Sequence, residues 1–547
     1  MRHTELWYKT AIIYCLDVKT FQDANGDGVG DFEGLIESLN YIASLGVNTL
    51  WLMPFYPSPN RDNGYDVADY YGVDPRLGTL GDFVEFTHQA HNHGLRVLID
   101  LVINHTSVDH PWFQAARQNR NSRYHDYYIW SDEKPEDADE GVIFPGVQES
   151  TWTYDEQAGQ YYFHRFYHHQ PDLNISNLDV QEEIRKIMGF WLELGVNGFR
   201  MDAAPFVIEM RDLESGSFES RDSYLEYFRH FLSWRRGNAI MLAEANVPMD
   251  HVPRYFGDGD RMHMLFNFMA NQHLYLAFAR NSAEPLIEGL NQLPETPALG
   301  QWAQFLRNHD ELSLDKLSDA DREEVFAAFA PDEDMRIYDR GIRRRLAPIL
   351  ENDRRRLELA HSLLLTLPGT PVIYYGQEIG MGDDLSLPER MGVRTPMQWS
   401  ADKNGGFSTA DPKQLIRPVV SRGEFGYERV NVTAQRRDDS SLMRCVQRMI
   451  VTRRQCPEFG IGRFELLDPG DPRLLAHRSE WEDGTVIAVH NFSDEPLTAR
   501  LKTGEAIALI DLLSNREYET NGHEEHAIEI APYGYRWFRV KHDGMIY

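Results

Sequence analysis

Leu192-Glu-Leu-Gly195-Val-Asn-Gly198-Phe199-Arg200-Met201-Asp202-Ala-Ala-Pro205 is the stretch whose reading decides the fold. Gly195 marks a helix end, because a glycine just past the last turn adopts left-handed backbone at little cost. Val196 to Met201 then reads as a short buried strand. Side chains alternate along a strand, so Phe199 and Met201 share one face while Arg200 and Asp202 share the other. A guanidinium and a carboxylate at the end of an apolar strand are costly to bury unless they pair. Such a pair is either a structural salt bridge or a chemical device, since a nearby Arg holds an Asp ionised and ready to attack. The stretch alone leaves both open.

Working outward, Val180, Ile184, Ile187, Met188 and Trp191 form an apolar stripe at helical spacing within the helix predicted for Val180 to Leu194. Helix followed by buried strand is the beat of a β/α unit, and it recurs. Upstream, strands are predicted at Ala11 to Val18, Asn48 to Met53 and Arg96 to Ile103, with helices at Phe32 to Leu45 and Asp82 to Asn92. Downstream, the sequence predicts a helix at Ser223 to Trp234 and strands at Ala239 to Ala243, Met262 to Phe268, Gln301 to Leu306 and Pro371 to Tyr375, the last preceded by a helix at Arg355 to Leu367. This is an α/β pattern that fits an elaborated (β/α)8 TIM barrel. Residues 1–105 and 178–459 are assigned to the barrel. Residues 106–177, rich in His, Tyr, Asp and Gly, are too long for a bare loop and form an inserted subdomain after strand 3. Residues 460–547 carry short alternating strands and read as a C-terminal all-β sandwich domain.

The 547 residues exceed what one core fills. Fifty-five Lys and Arg against 85 Asp and Glu leave a net charge of −30, which argues against nucleic acid or an anionic membrane as partner. Three cysteines, Cys15, Cys445 and Cys456, lack metal-type spacing and imply no disulfide framework. The opening MRHTELWYKTAIIYCL has no signal-peptide pattern, and no apolar run approaches the ~20 residues a membrane span needs. A cytoplasmic protein is expected; homo-oligomers stay open.

Polar residues collect at the predicted C-terminal ends of barrel strands, where barrel enzymes place their chemistry. DLVINH ends in Asn104 and His105, GFRMD in Asp202, MLAEAN carries Glu244, and RNHD ends in His309 and Asp310. A separate stretch, Asp23-Ala-Asn25-Gly-Asp27-Gly-Val29-Gly-Asp31, sets oxygen donors at alternate positions with Gly28 sixth. That spacing resembles a calcium loop, although the twelfth position is Gly34 and not the glutamate of an EF-hand; the alternative is a solvated acidic turn.

Together DLVINH, GFRMD, MLAEAN and RNHD resemble the four signature regions of the α-amylase family of retaining glycoside hydrolases. QPDLN at Gln170 to Asn174 is similar to the branch with oligo-1,6-glucosidases and trehalose synthases, and the stretch from Trp302 to Trp399 is closest in texture to the latter. The resemblance implies Asp202 as nucleophile, Glu244 as general acid/base and Asp310 as a binder of sugar hydroxyls. It implies His105 and His309 as further hydroxyl partners, Tyr65 as the stacking face, and Arg394 paired with Asp62 at the pocket bottom. A second calcium site would use Asn104, Asp172 and Glu209. His164, His168 and His169 read as loop packing. The implied activity is interconversion of maltose and trehalose with side hydrolysis to glucose; the alternative is an exo-acting α-glucosidase. A non-catalytic accessory subunit would be expected to lack the carboxylates, and no phosphate-binding glycine loop points to a phosphorylase. One departure is the segment Glu209 to Ser223, shorter than its counterpart and without the Cys-Glu-Asn-Leu-Pro-like stretch that helps cover the pocket.

Overall fold

A computed structural model describes residues 6–208, 223–503, 506, 508–514, 517–519 and 525–541. Eight parallel strands close a barrel: β1 (Ile13–Leu16), β2 (Thr49–Leu52), β3 (Arg96–Leu101), β4 (Gly198–Met201), β5 (Ile240–Ala243), β6 (Met264–Phe266), β7 (Gln301–Phe305) and β8 (Thr370–Tyr374). Each pairs with its sequence neighbour, and β8 closes on β1. Seven of the eight strands are shorter than their predicted apolar runs, and the last keeps its length with a shift of one residue. Val102 and Ile103, for example, are fully buried but lie past the end of β3. Hydrophobic patterning reports burial, and burial continues where ladder pairing stops.

The helix leading into β4 spans Leu178–Glu193, and the Asn177 side chain caps it by accepting from Asp179 N. All five stripe residues are buried, each worth about 1.5–3 kcal/mol relative to exposure. Gly195 has φ 105°, as its place after the helix predicts. At Gly198 a Cβ would sit 2.4 Å from Ile240 O, so a glycine is what lets β5 pair here. The helix predicted for Phe32 to Leu45 is two, Phe32–Glu37 and Leu39–Leu45, meeting at Ser38.

Between β3 and β4 lie a helix, Pro111–Gln118, and a small antiparallel sheet of Trp130–Ser131, Trp152–Asp155 and Gln160–Phe163. After β7, an antiparallel hairpin of Arg336–Ile337 and Gly341–Ile342 pairs with Leu312–Ser313. Its strands are too short to leave a pattern, and sequence reading missed it. The C-terminal region is a six-stranded antiparallel sheet beside a two-stranded one. Of its strands, Arg463–Leu467, Leu497–Lys502 and Glu517–Glu519 were not anticipated. It docks on the helix Arg354–Thr366 through Ser362, whose Oγ accepts from Trp537 Nε1 at 2.8 Å and lies 2.9 Å from His490 Nε2. The three cysteines are free and buried. Among the described residues no helix is long and apolar enough to cross a membrane.

Candidate active site

The β3–β4–β5 register builds the centre of the site. Asp100 lies opposite Arg200, and Met201 opposite Ala243. Asp202 and Glu244 therefore stand side by side, one residue beyond the last paired positions of adjacent strands. Between them lies Arg200, 1% exposed. Its Nη1 donates to Asp100 Oδ1 at 2.7 Å and to Asp202 Oδ1; its Nη2 donates to Glu244 Oε2 at 2.6 Å. Trp51 Nε1 holds the other Asp100 oxygen at 2.9 Å, and the Trp51 ring lies 5.3 Å from the guanidinium carbon. Ala203 has left-handed backbone, φ 48°, and its N–H points at Glu244 Oε2, 3.3 Å away. A non-glycine residue held this way costs on the order of 1–3 kcal/mol, the kind of strain that clusters at functional sites.

A second charged group surrounds Asp310. Its Oδ1 accepts from Arg390 Nη1 at 2.7 Å and Arg394 Nη2 at 2.9 Å, and its Oδ2 lies 3.1 Å from His309 Nε2. Here one expectation is corrected. Arg394 does not pair with Asp62: its Nε donates to His309 O at 2.7 Å and its Nη2 to Asp310. Asp62 instead accepts from Arg390 Nη2 at 3.0 Å and from Gln170 Nε2 at 3.0 Å. Sequence reading missed Arg390, and it quoted Asp100 and Gln170 within motifs without giving them a part. Arg390 lies in a five-residue 3-10 helix, too short to leave a periodicity that aims its side chain, so nothing in the sequence chooses it over Arg394.

Tyr65 OH is 2.7 Å from His309 Nε2, with the two rings stacked at 5.6 Å. His105 Nε2 lies 3.2 Å from Tyr65 O. Burial pushes His105 down to about 4 and His309 to about 3, so both are neutral imidazoles at pH 7. Burial pushes Asp202 up to about 6, opposed by Arg200. It pushes Glu244 higher, to about 7, again against Arg200, with the charges of Asp202 and Asp310 adding to the rise. Arg200 favours the ionised form of Asp202, as expected, and desolvation works against it. Asp310 goes the other way: burial would raise it, but His309, Arg390, Arg394 and Arg200 hold it well below the usual carboxylate range.

These residues line a cavity of about 590 Å³ whose walls include Phe144, Phe166, Phe206 and Phe268. One buried acid is poised to ionise first, its neighbour holds its proton longer, and a third stays charged. That trio under aromatic walls at the C-terminal mouth is the arrangement of a barrel enzyme acting on a polyhydroxyl substrate.

Of the expected metal positions, Asp23 accepts N–H groups of Gly26 and Gly28, each at 2.7 Å, and Asp31 accepts from Gly34 N at 2.7 Å. Asn25 and Asp27 accept from the backbone two residues on, and Gly28 has φ 98°. Asp23 Oδ2 also accepts from Ser408 Oγ, and Asp31 Oδ2 accepts from Ala24 N and Asn25 N, so those two oxygens are taken up; the other oxygen of each carboxylate and those of Asn25 and Asp27 keep a lone pair, a donor set that fits a hard cation in kind. Among the described residues no three His, Cys, Asp or Glu side chains converge as a ready-made cage. Asp172 lies against Asn104, and burial raises its carboxyl to about 7. Glu209, and with it most of the segment 209–223, lies outside the described residues. His164 is taken up by Thr153 Oγ1 and Phe166 O, consistent with packing.

The α-amylase catalytic-domain family matches residues 16–460, and the sucrose hydrolase-like C-terminal domain matches residues 484–539. The chain belongs to the α-amylase family. It is 42% identical over 543 residues to the trehalose synthase/amylase of Mycobacterium tuberculosis, covering 98% of this chain and 90% of that one. It is likewise 42% identical to a trehalose synthase of a Pimelobacter species, covering 98% and 96%. Among solved structures, an α-amylase from H. orenii matches with a TM-score of 0.80 at 27% identity, over 97% of this chain and 100% of that one. A trehalulose synthase from Pseudomonas mesoacidophila matches with a TM-score of 0.75 at 25% identity, over 98% and 99%.

Proposed function

We propose that this α-amylase-family enzyme isomerises maltose to trehalose through a covalent glucosyl-Asp202, losing some product to hydrolysis. The observation that carries the proposal is the Asp202–Arg200–Glu244 arrangement, with two carboxyls from adjacent strands on one guanidinium. The similarity to trehalose synthases over nearly the whole chain supports the choice of substrate.

Asp202 Oδ would attack the anomeric carbon of the non-reducing glucosyl unit as the protonated Glu244 gives its proton to the glycosidic oxygen. The bond from that carbon to oxygen breaks, a bond to Asp202 forms, and free glucose stays in the cavity. After the glucose turns, Glu244 takes the proton of its anomeric hydroxyl, whose oxygen displaces Asp202. Water attacking the same carbon gives two glucoses instead. Asp310, anchored by Arg390 and Arg394, would accept from sugar hydroxyls and strengthen those bonds as charge develops at the ring. Tyr65 and the neutral His105 and His309 would complete the cradle.

Hydrolysis as the main activity is the second reading, favoured by the short segment from Glu209 to Ser223. Maltose turned over beside labelled free glucose separates the two. Intramolecular isomerisation yields trehalose carrying little label. Glucose as the sole product at every time point gives the activity to an α-glucosidase.

Calcium, when bound, would act structurally. Asp23, Asn25, Asp27, Asp31 and the Val29 carbonyl would hold it, with Asn104 and Asp172 as a second pair of donors. A cation at a hundred times its dissociation constant adds about 2.7 kcal/mol of stability. Chelation should therefore lower the melting temperature, and elemental analysis should find calcium in the native protein; an unchanged melt with no metal found removes the site.

A further inference from the structure

Arg390 bridges Asp62 and Asp310, and a long flexible side chain does that reliably only from a fixed base. The residue before it supplies the base. Glu389 has left-handed backbone, φ 43°, a costly conformation for a side chain with a Cβ. Its Oε2 accepts from Tyr338 OH at 2.6 Å and also from Tyr167 OH. The partners come from separate parts of the chain: Tyr167 from the segment between β3 and β4, Tyr338 from the turn of the hairpin after β7. Phe144 joins their rings, 4.7 Å from Tyr167 and 4.8 Å from Tyr338, and the Arg390 guanidinium carbon lies 4.9 Å over the Phe144 ring. One aromatic cluster thus grips the Glu389 carboxylate and supports the Arg390 guanidinium. Behind Arg390 is a second cavity of about 530 Å³, lined by Tyr167 and Glu389 and sharing only Asp62 and Arg390 with the first.

We propose that Glu389 is a positioning residue. Held by Tyr167 and Tyr338, it sets Arg390 as the wall between the two cavities, tightening the grip on the terminal sugar and keeping water in the rear cavity from the reacting carbon. The inference rests on the sugar-transfer reading of the site.

The test is a double-mutant cycle of Glu389→Ala with Arg390→Lys, read as affinity for a glucose-configured iminosugar and as KM, kcat and glucose share with maltose. Glu389→Ala alone should weaken iminosugar binding and raise KM by about tenfold, with a smaller change in kcat and a larger glucose share; in the Arg390→Lys background it should change little. Glu389→Gln, whose amide oxygen still accepts both hydroxyls, should restore most of the loss. Equal cost in both backgrounds, or a Gln variant as impaired as Ala, overturns the proposal. If Glu389→Ala fails to fold, Tyr338→Phe takes its place in the same cycle with a smaller expected effect and the same criterion. Iminosugar affinity needs no turnover, so a native protein inert toward maltose counts against the activity reading and leaves this inference to be judged by binding.

Discussion

Two arginine clusters meet in one cavity and treat their acids oppositely. Around Arg200 a single guanidinium serves Asp100, Asp202 and Glu244; around Asp310 two guanidiniums serve one carboxylate, and one of them, Arg390, also holds Asp62. Asp100 and Asp202 are buried and Glu244 and Asp310 are partly exposed to the cavity, and desolvation raises every one of them. The number of cations per acid decides the result. Where acids outnumber guanidiniums, the pair Asp202 and Glu244 titrates near neutrality and can exchange protons with a substrate. Where guanidiniums are plentiful, Asp310 is locked as an anion and can only bind.

The comparison breaks most visibly at Asp202. Asp202→Asn should lower turnover by about 10⁴-fold or more with the fold intact, and abolish trapping by a fluorinated glucoside. Retained turnover would remove this residue from the chemistry. On the other side, Asp310→Asn leaves Arg390 and Arg394 facing each other without their anion. Removing one partner of a buried ion pair costs about 3–5 kcal/mol, so a denaturant midpoint well below the native one is expected. An unchanged midpoint would mean that the second cluster is not a true ion network.

The finest test is the pH profile. With Asp202 at about 6 and Glu244 at about 7, kcat/KM should rise as Asp202 loses its proton and fall, up to about tenfold per unit, as Glu244 loses its own. Asp310, held far below this range, adds no limb. Glu244→Gln, assayed on a glucoside whose leaving group needs no proton, should keep the lower limb and lose the upper. Persistence of both limbs would assign the upper one to another group.

Much of this was legible in the sequence, for reasons that differ by element. The barrel strands are apolar runs between helices with clear stripes, and the Arg200/Asp202 alternation follows from a period of two. The partners of the arginines were not legible. Arg390 lies in the five-residue 3-10 helix Glu389–Val393 and Arg394 just after it, and so short an element leaves no periodic pattern in the sequence to show where either side chain goes. The hairpin carrying Tyr338 has two-residue strands, and no motif in the sequence singles out Glu389. Such contacts are set by tertiary packing among distant segments, to which local pattern is blind.

The placement of Asp202 and Glu244 on neighbouring strands also bears on stereochemistry. Adjacent strands run about 4.7–4.9 Å apart. Retention of anomeric configuration needs carboxyls about 5–5.5 Å apart, and inversion needs about 6.5–9.5 Å to seat a water. Two acids projecting from equivalent positions of touching strands start from a backbone separation close to the first spacing. Loop changes at the mouth can alter which sugar enters or which acceptor waits, but they act on a gap the backbone ladder has already set. A shift of β5 by one residue would turn Glu244 out of the cavity altogether, so the register of one strand decides whether the two acids face each other at all.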